Sequence, residues 1–197
     1  MQNLTNALLS VIDSAIDSPP LLGAMLLLLW SVHAINALLA YRLNVFGIYP
    51  RRSVGLRGIL FSPFLHGSAG HLFFNCIPLV VLATLILVNG QAFFFQVTAM
   101  IAVLSGVLTW LLGRRAFHVG ASSVIMGYWS FLLVDAVLQR SALSIVLAAL
   151  CLYYFAGMYT NIFPREEKTS WEGHLFGLLS GVAVSYVLVR GWVPALG

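Results

Sequence analysis

An all-α, polytopic membrane protein of six spanning helices, with an interfacial loop after the first, is the fold class the sequence predicts, and three observations predict it. Hydrophobic residues make up 60% of the 197 positions and charged residues 8%, a balance too apolar for a water-soluble domain of this size. Six apolar stretches recur, each close to the ~20 residues a helix needs to cross the hydrocarbon layer. The segments joining them are mostly short, so residues 1–197 are expected to form a single membrane domain.

Taken in order, residues 1–18 are polar, carry Asp13 and Asp17 and lack a basic start. They are therefore not expected to be a cleaved signal peptide. The first span is expected at 21–40. The segment 41–70 holds Arg42, Pro50, Arg51, Arg52, Arg57 and Pro63 among many Leu, Phe and Ile residues. It is too polar to span and too apolar to leave the bilayer, so it is expected to lie in or on the interface. The other spans are expected at about 71–88, 92–112, 120–138, 142–160 and 171–189. Each should be helical, because lipid offers no partner to exposed backbone N–H and C=O groups. In the last, Gly173, Gly177 and Gly181 recur every four residues and present a bare stripe on which another helix can pack closely. Cys76 and Cys151 fall in apolar runs, where thiols behave as small hydrophobes, and no disulfide is expected. The net charge of +4 comes from ten Lys and Arg residues in short loops, which suits lipid headgroups. No basic run interleaved with aromatics points to nucleic acid.

Polar side chains inside spans are costly, and so they are the functional candidates. Spans two, four and six run in the same direction, since two crossings separate each pair, and their first turns share one side of the membrane. On that side the second span offers His71 and Asn75, the fourth Ser122 and Ser123, and the sixth Glu172 and His174. His71 and Asn75 are four apart and lie on one helix face. Both can donate hydrogen bonds. Ser122 stands at a helix start, where unpaired N–H groups and the positive end of the dipole favour a developing oxyanion. Attack by Ser122 Oγ, proton transfer to His174, and stabilisation by the Ser122 N–H with His71 and Asn75 would make a serine–histidine dyad that needs no carboxylate. Singly, such a serine ordinarily caps a helix, and a membrane histidine ordinarily bonds a carbonyl. Their joint placement on three helices is the signal.

Other polar residues have simpler expectations. Glu172 is two residues from His174 on a different face, and is expected as an acidic first-turn residue favoured by the helix dipole. Asp135 lies toward the far end of the fourth span and is expected at the membrane boundary or as a structural hydrogen-bonder. His33, Asn36 and His118 have no obvious partners and are expected to be structural.

The same residues resemble the signature of the rhomboid intramembrane proteases. H-G-S-A-G-H-L-F-F-N at 66–75 is similar to the family's H-x4-H-x3-N, G-A-S-S at 120–123 to G-x-S-G, and G-H-L-F-G at 173–177 to A-H-x-x-G. The segment 56–66 also looks like the approach to the second span in bacterial members. The resemblance implies a six-helix rhomboid bundle with Ser122 as nucleophile, His174 as general base, His71 and Asn75 as oxyanion donors, and His66 as a structural residue. Three positions depart from the pattern. Ser123 replaces the usual glycine, whose absence can crowd the oxyanion hole. Met126 replaces an aromatic that packs on the base. Leu56 and Arg57 stand where a Trp-Arg pair is common.

The implied activity is hydrolysis of a peptide bond in or near a transmembrane helix, after a small residue in a readily unwound segment. The implied partners are transmembrane protein substrates and the lipid bilayer, with no metal, nucleotide or other cofactor. The fifth span and the loop 161–170 are the implied gate, and the implied location is the bacterial inner membrane, with the site open to the extracytoplasmic side. Positive charge argues the reverse orientation. Arg42, Arg51, Arg52, Arg57, Arg114, Arg115, Arg165 and Lys168 lie on the site's side, against Arg140 and Arg190, and basic loops ordinarily stay in the cytoplasm. Arginines packed within an embedded first loop would reconcile the two. Competing classes are a non-catalytic rhomboid-like protein that binds membrane clients, which loss of the dyad would favour, and a membrane b-type cytochrome with histidine haem ligands. A zinc protease has no support, because H-E-x-x-H is absent.

Overall fold

Two prolines start the first helix, their missing N–H groups costing nothing in a first turn that lacks acceptors anyway. In the computed structural model this helix is α1 (Pro19–Leu38), and it stops where Ala40 and Tyr41 turn left-handed, with φ of 51° and 61°. The structure describes residues 18–140, 142–155, 157 and 170–191, together with Thr5, Leu9, Ile12, Asp13 and Ile16. The interfacial segment follows as short turns, 3₁₀ at Arg42–Phe46 and Ser53–Gly55, a four-residue α2 (Gly58–Phe61), and 3₁₀ again at Ser62–Phe64. Then come α3 (Ala69–Leu87), α4 (Gln91–Leu112), α5 (Ser122–Gln139), α6 (Ala142–Phe155) and α7 (Trp171–Val189).

Five of these, α1, α3, α4, α5 and α7, are long and apolar enough to cross a membrane. They match the expected spans with small shifts that have local causes. The second begins two residues early because the Ser68 hydroxyl accepts from the His71 N–H at 3.1 Å and caps it. The fourth begins two residues late because Gly120, at φ 124°, cannot belong to a helix. The fifth span is described as α6 over 142–155; 156 and 158–160 of the expected stretch lie outside the described residues, as does the expected gating loop except for Ser170.

Composition decides which helices are central. The mean hydropathies of α5 and α7 are 1.3 and 1.4, against 1.9 to 2.0 for the other spans, and 50% and 56% of their apolar cores are buried against 22% for α1. Helices surrounded by protein need less apolar surface than helices facing lipid. The densest helix contact is accordingly α5 on α7. Its seam is built on absent side chains: a Cβ on Gly177 would collide with the Ser123 carbonyl, and one on Gly181 with the Gly127 carbonyl and Ser130 Oγ. Ser130 Oγ then donates across the seam to the Leu178 carbonyl at 2.8 Å. At Gly173, which is buried, a Cβ would meet Ser170 among the described residues, with Oγ at 3.0 Å, and the glycine borders a cavity of about 20 Å³ that Ser122 and Ser123 also line.

The interfacial segment is pinned to the end of α4. Ile59 fits against Gly106, the Trp110 indole N–H donates to the Arg52 carbonyl at 2.9 Å, and the Arg51 guanidinium donates to the Leu111 carbonyl at 3.0 Å. Arg57 lies over the Phe46 ring, 4.3 Å from its centroid, and reaches the Val45 carbonyl at 3.4 Å. Two of the segment's arginines thus serve packing. Asn36, which the sequence left without a partner, is fully buried; its amide donates to Asn44 Oδ1 at 2.8 Å and accepts from the Leu43 N–H at 3.0 Å. His33 packs between the rings of Trp30 and Tyr41. Asp135 accepts from the Gln139 amide at 2.8 Å, one turn on, in keeping with a structural role. Cys76 is half-buried on α3 and Cys151 buried on α6.

Candidate active site

The first turns of α3, α5 and α7 meet around a cavity of about 640 Å³, and Ser122, His174, His71 and Asn75 all line it. Each arrives there for a local reason. Ser122 is the first residue of α5, and its N-cap is Ala121, so the hydroxyl is not consumed in capping. The N–H groups of that first turn have no helical acceptor. His174 stands in the first turn of α7, buried to 9% exposure. His71 and Asn75 are one turn apart on α3, oriented by the Ser68 cap.

The loop that presents Ser122 is tightly held. The Gly120 N–H donates to the Ser62 carbonyl at 2.9 Å, and the Ala121 N–H points at His66 Nε2 at 3.4 Å. His66 is completely buried and edge-on to His71, the ring centroids 5.1 Å apart. Gly120 is required twice over: its φ suits only glycine, and a Cβ there would stand 2.9 Å from His71 Cε1 and 3.6 Å from Ser122 Oγ. The imidazole of His71 and the hydroxyl of Ser122 therefore face the same small space. Asn75, which lines the same cavity, has its Nδ2 buried with no hydrogen-bond partner among the described residues. A buried amide N–H without an acceptor carries a desolvation cost and marks a place where an acceptor belongs.

The departures from the rhomboid pattern fall in informative places. Ser123 does not line the main cavity; its main chain abuts Gly177, and it borders a cavity of about 20 Å³ behind Ser122. Met126 is buried and does line the main cavity, as His174 does.

Two residues gain partners the sequence did not reveal. Glu172, 4% exposed, pairs with Arg114, Nε to Oε1 3.2 Å, so its role is to tie α7 to the loop before α5 as well as to sit at a positive helix end. His118 is buried, bonding Ser170 and the Arg114 carbonyl through its two ring nitrogens. The signals, an Arg and a His in a short loop facing an acidic helix start, were present, but nothing local paired them.

Burial, helped by neighbouring His71, pushes the His66 imidazole down to about 3, and burial lowers that of His118 as well. A histidine held neutral in the fold binds its proton more tightly when unfolded. Its contribution is therefore present above pH ~6.5 and lost as pH falls from there toward the folded value, by up to about 1.4 kcal/mol per pH unit. Thermal midpoints in detergent should drop between pH 7.5 and 5. His66→Gln, which keeps an acceptor for the Ala121 N–H but does not titrate, should flatten that slope; identical slopes would refute the assignment.

Comparison with known proteins agrees with this architecture. A family model described as the Rhomboid domain matches residues 54–191. Uncharacterized proteins of Mycobacterium tuberculosis and Mycobacterium bovis are each 38% identical over 170 residues, covering 82% of this chain and 71% of the relative. One from Mycobacterium leprae is 36% identical, covering 82% and 67%. The matched region contains all four cavity residues, and with five apolar helices of spanning length it makes this a multi-pass integral membrane protein. The chain belongs to the rhomboid family.

Proposed function

We propose that this rhomboid is an intramembrane serine endopeptidase, its whole chain one membrane domain, hydrolysing peptide bonds in or near transmembrane segments with a Ser122–His174 dyad. The observation that carries the proposal is the convergence on one cavity of a non-capping serine, a buried histidine and an asparagine amide nitrogen with no hydrogen-bond partner among the described residues. Ser122 Oγ attacks the scissile carbonyl while His174 takes its proton. The carbonyl oxygen becomes an oxyanion, received by the Ser122 N–H, His71 and the Asn75 amide. His174 then returns the proton to the leaving amine, and water hydrolyses the acyl-enzyme by the same steps. Donors fixed in place before charge develops are what make such a hole effective in a site of low dielectric.

The bacterial inner membrane, with the site open to the extracytoplasmic side, is the proposed location. Arg51 and Arg57 serve packing, which still leaves six basic residues on the site's side against two, so this orientation is proposed from the family resemblance and not from the distribution of charge. The test is cleavage of a labelled transmembrane substrate in proteoliposomes by wild type, Ser122→Ala, Ser123→Ala and His174→Ala. An inert wild type on several substrates would leave client binding as the function. Within the active enzyme, Asn75→Ala and His71→Ala should each lower kcat by about 10²-fold or more, with KM little changed, as loss of one oxyanion donor does. A purely KM effect would remove them from the hole.

A further inference from the structure

His118 stands four residues before Ser122, and Ser170 four residues before His174; the two side chains meet, His118 Nδ1 to Ser170 Oγ at 2.5 Å. The other ring nitrogen, Nε2, lies 3.0 Å from the Arg114 carbonyl. A carbonyl can only accept, so Nε2 carries the hydrogen, and in the neutral ring Nδ1 accepts from the Ser170 hydroxyl. Both nitrogens are thereby occupied, and His118 has no lone pair left to take a proton from Ser122.

Both ends of this contact are anchored. The His118 main chain exchanges hydrogen bonds with Ile48, at 2.9 and 3.0 Å, which fastens it to the interfacial segment. Ser170 is the N-cap of α7, and its carbonyl accepts the first helical bond, from the His174 N–H at 3.3 Å. A serine in that position ordinarily turns its hydroxyl onto the N–H groups of its own helix. Here it makes no such bond; the hydroxyl is diverted across to His118.

We propose that the His118–Ser170 hydrogen bond sets the spacing between Ser122 and His174, making both residues positioning residues for the dyad. The inference rests on the dyad reading. Ser122 is reached from His118 through a segment held by Ser62 and His66, and His174 from Ser170 through a single helical turn, so neither reacting side chain can move far without straining this one contact. The Arg114–Glu172 pair acts beside it as a second strap between the same two segments. Small displacements of reacting groups are costly to rate and not to affinity.

The test measures kcat, KM and thermal midpoint in proteoliposomes for His118→Phe, His118→Asn, Ser170→Ala and the double variant His118→Phe/Ser170→Ala. His118→Phe and Ser170→Ala should each lower kcat by roughly ten- to a hundredfold with KM within about twofold. The double variant should be no slower than the slower single, and His118→Asn, whose amide can still meet Ser170, should recover most of the loss. Additive losses, a loss confined to KM, or unchanged kcat in Ser170→Ala would overturn the proposal. If His118→Phe does not fold, Ser170→Ala decides alone. Ser122→Ala is the separating control. If it still cuts, the dyad reading itself falls; if it is silent while the His118 and Ser170 variants run at full kcat, only the spacing role falls.

Discussion

Ser122→Ala is expected to reduce cleavage of a transmembrane substrate to background, a loss on the order of 10⁴-fold or more, and His174→Ala to do the same. The two should not add. Nucleophile and base act as a unit, so whichever is removed first takes nearly the whole effect. Ser123→Ala should remain within a few-fold of wild type, because Ser123 borders the small cavity behind the site and not the main one. A serine-directed fluorophosphonate gives a second readout: it should label wild type and Ser123→Ala but neither dyad variant. Residual cutting or labelling in Ser122→Ala would mean another nucleophile. The prediction is sharp because the alternative duty of a serine at a helix start, capping, is performed at α5 by no side chain.

Much of this arrangement is legible in the amino-acid sequence. Spans were readable because lipid exposure forces long apolar runs, and the meeting of His71, Asn75, Ser122 and His174 followed from counting crossings. What could not be read depends on contacts between residues far apart in sequence. Arg114 and Glu172 are 58 residues apart, and His118 and Ser170 are 52 apart. No periodicity links such pairs; only the approach of α7 to the loop before α5 creates them. Asn36 looked solitary because its partners, Asn44 and the Leu43 N–H, lie beyond a left-handed turn at Ala40 and Tyr41. The glycine stripe was readable as a stripe, but only packing shows that Gly177 and Gly181 sit directly against the α5 main chain while Gly173 borders the small cavity beside Ser122 and Ser123.

Those two glycines carry the other large expected effect. Gly181→Leu should destabilise the protein by about 3 kcal/mol or more, beyond the usual cost of overpacking a core, and lower its thermal midpoint in detergent accordingly. Ordinary overpacking is relieved by rotating a neighbouring side chain. At Gly181 the obstruction is the Gly127 carbonyl, which cannot rotate, so α5 and α7 must move apart. Separation would also break the Ser130 bond to the Leu178 carbonyl. In lipid, helices gain little from hiding apolar surface and are held by close contact and such bonds, so no hydrophobic term compensates. Gly23→Ala is the matched control. A Cβ there meets nothing within 4 Å among the described residues, and in the interior of α1 it should be neutral or stabilise by up to about 1 kcal/mol. If Gly181→Leu melts with Gly23→Ala, close backbone packing is not what holds the centre of the bundle. Gly177→Ala divides the two consequences. A single methyl against the Ser123 carbonyl pushes α7 away one residue from the nucleophile and one turn from the base, so cleavage should fall well before the fold is lost.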